Sequence, residues 1–119
     1  MLEISYDKRL KDIAKTNAKK CQFKHSLPEN NYHPEFHSPK KNDIGENIYY
    51  VRTSQKMNFK EIMQRAVKKW GDEKEEYYYW KDTCIHEDKD CGHYRQIVKA
   101  NMYAVGCAGE IEIPKIYEY

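Results

Sequence analysis

The chain has 119 residues and a mass of 14.3 kDa, with 21 basic against 19 acidic residues and a net charge of +2. That length holds one domain with one modest core, and no shift in composition marks a second. No run approaches the ~20 apolar residues of a membrane span, the first 20 residues lack the apolar centre of a signal peptide, and no Arg-rich or aromatic-interleaved basic run marks a nucleic-acid footprint.

Leu, Ile, Val and Phe are scarce and the mean hydropathy is -1.05, a balance that leans toward disorder. Low net charge and 11 Tyr with 2 Trp argue the other way, since tyrosine supplies a large apolar face with a polar handle. A thin, tyrosine-rich core is expected. Charge divides along the chain: residues 1–60 carry 12 basic and 7 acidic residues, residues 61–119 carry 9 and 12. The basic excess reads as a lysine-rich, solvated helix face.

From an N-cap at Asp7, the residues Leu10, Ile13, Ala14, Ala18 and Cys21 fall on one helical face, so a first helix is predicted to end near Cys21 and to deliver Phe23 and His25 just beyond it. Residues 26–43, with three Pro and no period, form a long loop. Ile48 to Val51 reads as a strand or extended segment. Asn58 and Glu61 make a capping box for a second helix whose stripe is Phe59, Ile62, Met63, Ala66, Val67 and Trp70. One further turn past Gly71 puts Glu73 on that apolar stripe, where a carboxylate needs a partner. A histidine opposite would supply it.

Tyr77 to Trp80 is an aromatic run suited to packing or a strand edge, and CIHEDKDC (84–91) is a polar loop closed at both ends by sulfur. His93, Gln96, Ile97 and Ala100 define a short helix, and residues 102–113 alternate as a strand or bent hairpin strand. Cys84 and Cys91 are the favoured disulfide, because the short polar loop between them closes easily. The rival is a zinc site of Cys84, His86, Cys91 and His93, whose spacing matches no common structural pattern. Cys21 and Cys107 form a second pair or stay as buried thiols. His33, His37 and His86 carry no signal beyond that of ordinary polar residues, and Ser26 beside His25 has no nucleophile motif around it.

In order along the chain, CQFKHS (21–26), GENIY (45–49), Trp70-x-x-Glu73, CGHYRQIV (91–98) and VGCA (105–108) resemble the CAP superfamily of cysteine-rich secretory proteins, venom antigen 5 and plant pathogenesis-related proteins. The resemblance spans residues 4–108. It implies an α+β fold, an α-β-α sandwich with a small antiparallel sheet between helices, in one partial domain over residues 1–119. It implies disulfides and an extracellular location. By motif match, His25, His93, Glu46 and Glu73 face one cleft, with His25 and His93 as ligands of an open, low-affinity Zn2+ site and Glu46 and Glu73 orienting the rings or a bound water.

The chain departs from the family at Lys99, where Trp is usual, and at Arg95, where a small residue is usual. The family's first helix with its His-Asn motif and its last strand with a Cys-Asn-Tyr block are missing from the chain, which on this resemblance reads as a truncated gene product or a fragment. By family pairing Cys21 and Cys107 would bond cysteines of that segment, and Glu112 stands about where one is expected. The function implied is that of a secreted, non-enzymatic binding protein, with a metal-binding cleft and a groove for a sterol, a fatty acid, or a protein receptor or channel, in host interaction or defence. One alternative is a zinc-assisted hydrolase in which Glu46 or Glu73 takes a proton from water. Another is a non-functional truncated fragment.

Overall fold

A strand too short to show in the sequence pattern opens the fold. Ser5–Tyr6 (β1) pairs in parallel with Ala104–Val105 (β4), in the register Ser5 to Ala104 and Tyr6 to Val105. The structure, a computed structural model, describes residues 3–26, 44–100 and 102–112. The predicted loop at 26–43 lies almost wholly outside them, as do His33 and His37 and the last residue of the predicted strand at 102–113.

Asp7 follows β1 directly and caps the first helix, Lys8–Ala18 (α1), its carboxylate accepting from the amides of Arg9 at 2.7 Å and Leu10 at 3.3 Å. Leu10, Ile13, Ala14 and Ala18 are half-buried, as the spacing predicts, and Asn17 joins them as a buried polar residue. The helix ends three residues before Cys21, which adopts a left-handed backbone at φ 49°. Asn17 explains the early stop: its side-chain amide donates to the Lys24 carbonyl at 2.9 Å and draws the chain back over the helix end. Gly106 lets β4 sit against the start of α1, since a Cβ there would collide with the backbone of Leu10 and Lys11.

The capping box forms as predicted. Asn58 Oδ1 accepts from the Glu61 amide at 2.9 Å while Glu61 accepts from the Asn58 amide at 3.2 Å, and Phe59–Asp72 (α2) follows. A 3-10 turn, Glu73–Glu76, extends it and places Glu73 at the helix end. Tyr77–Tyr78 (β2) then pairs antiparallel with Thr83–Cys84 (β3) around a 3-10 turn at Tyr79–Lys81, with Asp82 left-handed at the corner. The Cys84–Cys91 disulfide leads into Gly92–Ile97 (α3), which is shorter than the predicted helix to Ala100.

Two further differences have physical causes. The segment Ile48 to Val51 joins no ladder among the described residues; instead the Ile48 carbonyl accepts from the Trp70 indole at 3.3 Å. The β-branched run is anchored by a side chain rather than a neighbouring strand. In place of one antiparallel sheet, the described residues form two two-stranded ladders, one parallel and one antiparallel. The fold is a mixed one of helices and small sheets, compatible with α+β. Its core is as thin as the composition implies: Ile44, Ala66 and Cys91 are its buried apolar residues among those described, while Trp80 stays 82% exposed.

Candidate functional site

The site is built around the junction of α2 and α3. The C-terminal end of α2 brings Trp70 and Glu73 one turn apart, and both meet His93 at the start of α3. The Trp70 and His93 rings stack with centroids 5.9 Å apart and planes 14° from parallel. Glu73 Oε2 lies 2.7 Å from His93 Nδ1, and Glu73 Oε1 accepts from the backbone amides of His93 at 3.0 Å and Tyr94 at 3.3 Å. Cys91 offers no side-chain cap to α3, so the Glu73 carboxylate takes that part from outside the helix. The partner that a carboxylate on an apolar stripe requires is thus His93, with two amides besides.

A second pair repeats the chemistry just after α1. Glu46 Oε1 lies 2.8 Å from His25 Nδ1 and accepts from the Ser26 amide at 2.9 Å, while Glu46 Oε2 accepts from the Ser26 hydroxyl at 2.5 Å. The turn that Asn17 enforces after α1 presents His25 and Ser26 to that carboxylate. Glu46 is well covered and His25 more than half exposed. The next residue, Asn47, donates to the His93 carbonyl at 3.1 Å, and Gly45 packs against Gln96 of α3. Consecutive residues of one extended segment therefore hold both histidine-bearing stretches.

A carboxylate only accepts, so each Nδ1 that faces one carries the proton. With that proton on Nδ1, the lone pair of a neutral imidazole is on Nε2, the tautomer that ligates a metal. The donor set fits zinc or another divalent ion that takes imidazole nitrogen. Among the described residues, the three side chains close enough to offer one ion three donors are Glu73, Asp90 and His93, whose ligating atoms lie within 4.8 Å of one another. Asp90 Oδ2 is 3.8 Å from His93 Nδ1, and Asp90 Oδ1 accepts from the Gly92 amide at 2.8 Å. His25 and Glu46 do not belong to that trio.

The rival zinc site is overturned. Cys84 and Cys91 are joined by a disulfide, with Cα atoms 5.6 Å apart, so neither sulfur is a free thiolate, and His86 turns its Nδ1 to Glu76 at 2.8 Å. Cys21 is an exposed thiol and Cys107 a half-buried one. Burial raises the pKa of both, and Glu112 and Glu110 push Cys21 further up, so neither is an activated nucleophile. Arg95, one of the departures from the family pattern, forks onto Asp82 at 2.9 and 2.8 Å, and the Tyr77 hydroxyl donates to the same carboxylate at 2.8 Å. Those bonds hold the Asp82 pKa down at about 2.

Sequence reasoning missed Asn47 and Asp90. Asn47 stands inside the GENIY block, and Asp90 lies three residues before His93, but polar residues at such places carry no signal until the backbone aims them. Ser26 was noted beside His25, yet its hydroxyl serves Glu46 and not the ring.

The sequence pattern that defines the CAP family, described as the cysteine-rich secretory protein family, matches residues 1–110. Glioma pathogenesis-related protein 1 of Mus musculus is 35% identical over 114 residues, covering 93% of this chain and 39% of that protein. Scoloptoxin SSD552 of Scolopendra dehaani is 32% identical over 108 residues, covering 90% of this chain and 46% of its own. Pathogenesis-related protein PR-1 of Medicago truncatula is 43% identical over 47 residues, 40% of this chain and 27% of its own. The chain thus spans less than half the length of these relatives. No solved structure matches it.

Proposed function

The chain belongs to the CAP family of cysteine-rich secretory proteins, and from that premise we propose that it is an extracellular, non-enzymatic binding protein whose histidine-glutamate cleft takes a divalent metal ion. The α-β-α sandwich of the family is part of the same reading. His25 and His93 would hold the ion through Nε2, with Glu46 and Glu73 fixing the rings. Bound there, the metal supplies a positive charge for an anionic or carbonyl group of a partner. The observation that carries the proposal is the pairing of each imidazole Nδ1 with its own carboxylate at 2.7 and 2.8 Å, which sets both rings in the ligating tautomer before any ion arrives.

The same geometry favours binding over hydrolysis. Glu46 and Glu73 each already accept from three donors, which leaves about one of four lone-pair sites for a water, and hydrolytic zinc sites carry three protein ligands where this reading supplies two histidines. For the lipid or protein partner, a cleft of about 370 Å³ lined by Lys74, Tyr77, Tyr79, Tyr94, Val98 and Ala100 offers a largely apolar bed beside α3. A sterol or fatty acid is the partner that such walls favour.

Calorimetric titration with zinc at pH 7.5 tests the metal reading. The protein should bind one ion weakly, and His25→Ala and His93→Ala should each abolish the heat. Equal heats in the protein and both variants would remove the two histidines from the site.

A further inference from the structure

The lysines of α1 are arranged more regularly than a merely solvated face requires. Lys8, Lys11, Lys15 and Lys19 follow one another at steps of three, four and four residues, which at 3.6 residues per turn confines them to an arc of about 80° and spreads them over about 16 Å. All four are exposed, and among the described residues none is in an ion pair. Leu10, Ile13 and Ala14 lie on the opposite side of the helix, half-buried, with Leu10 against Gly106 beyond β4. Residues 3–26 hold seven basic and three acidic side chains, Asp12 stands about 20° outside the lysine arc and Glu110 and Glu112 act on Cys21 past its end, so the positive field is confined to the lysine strip itself.

We infer that the outer face of α1 is a docking strip for a linear, sulfated polysaccharide. Charge complementarity calls for a polyanion, and a single file of point charges matches a chain of sulfates better than a surface. A bilayer is a poorer match, because a helix that lies on lipid buries its apolar face there, and the apolar face of α1 is turned to the body of the protein. Nucleic acid is poorer too, since the strip offers neither an aromatic ring for stacking nor an arginine fork for phosphate. The inference does not rest on the metal-binding reading.

The test uses a size-defined heparin fragment, titrated by calorimetry at several salt concentrations. Four lysine contacts give a log-log salt slope of about -3 to -4, an affinity roughly a hundredfold weaker at 200 mM than at 50 mM salt. Replacing Lys11, Lys15 and Lys19 with Gln should weaken binding by roughly tenfold or more and flatten the slope by about three. The same three changed to Arg should bind as before, and Lys56, Lys60 and Lys81 changed to Gln, an equal loss of charge elsewhere, should cost less than about twofold. Circular dichroism melts check that each variant folds, and Lys15→Glu alone repeats the test with a single change. Absence of heparin binding, equal losses in the two Gln triples, or equal or tighter binding to duplex DNA or phosphatidylserine vesicles would overturn the inference.

Discussion

Glu73 is the residue on which the α2–α3 junction turns, and two substitutions separate its structural part from its electronic one. In Glu73→Ala the His93 Nδ1–H and the amides of His93 and Tyr94 lose their acceptor, in a place where Glu73 is 16% and His93 21% exposed. A bond between an imidazole and a carboxylate in such cover contributes about 1.5–2 kcal/mol, and two partly buried amide bonds add about 0.5–1 kcal/mol each. The variant should therefore lose roughly 3 kcal/mol, which lowers the melting temperature of a domain this size by about 10 °C. Glu73→Gln keeps a carbonyl oxygen for the two amides but turns an NH2 group on Nδ1. His93 must then accept at Nδ1 and carry its proton on Nε2, the nitrogen the proposed ion would need. That variant should lose only about 1 kcal/mol while its zinc affinity falls by about 10–100-fold. Urea unfolding gives the first quantity, calorimetry the second, and nitrogen-15 shifts of His93 report the tautomer directly. A Gln variant with wild-type zinc affinity and the proton still on Nδ1 would refute the reasoning.

Two further predictions follow from the hairpin side of the fold. Cys84 and Cys91 close an eight-residue loop, and the buried Cys91 sits at the entrance to α3, so Cys84→Ser with Cys91→Ser should cost about 2.5 kcal/mol in urea unfolding, and a change below about 0.5 kcal/mol would show that the loop is held otherwise. Asp82 has its folded pKa depressed to about 2 by Arg95 and then Tyr77, so its contribution to stability is present above its ordinary pKa near 4 and is lost as pH falls through about 2. Stability measured from pH 5 to pH 2 should accordingly drop less in Asp82→Asn than in the wild type. Parallel curves would detach Asp82 from the acid response.

The parts of this fold that could be read in advance are those that local chemistry determines. Asn58 and Glu61 form their reciprocal cap because both partners lie within one turn, and the α2 stripe from Phe59 to Trp70 needs only its own period to be recognised. Glu73 was legible for the same reason: a carboxylate on an apolar stripe asks for a donor wherever the helix goes. Elements that depend on distant residues were not legible. β1 is two residues long and exists through its register with Ala104 and Val105, nearly a hundred positions away. Ile48 to Val51 has strand composition but finds the indole of Trp70 where a ladder would have to be. At the site, motif match put forward four ionisable side chains, and the chain's own hydrogen bonds pair them as His25 with Glu46 and His93 with Glu73. The auxiliary groups Asn47 and Asp90 depend on backbone aim, which composition and spacing do not encode.

A core this thin changes what holds the site in place. Packing fixes side chains when they are surrounded by apolar neighbours, but the buried apolar residues among those described amount to Ile44, Ala66 and Cys91. Rigidity around His25 and His93 must therefore come from directional bonds. The segment 44–48 shows how: Ile44 is buried, Gly45 lies against Gln96, Glu46 holds His25 and Ser26, Asn47 holds the His93 carbonyl, and Ile48 receives the Trp70 indole. Five consecutive residues tie the end of α1 to α2 and to α3 without forming a strand. The ties made by Glu46, Asn47 and Ile48 each involve a polar group that would otherwise have to be solvated, so losing one leaves its partner unsatisfied rather than merely looser. The histidines are consequently held by the same bonds that set their tautomer, and a change that frees a ring to move also changes which nitrogen carries its proton.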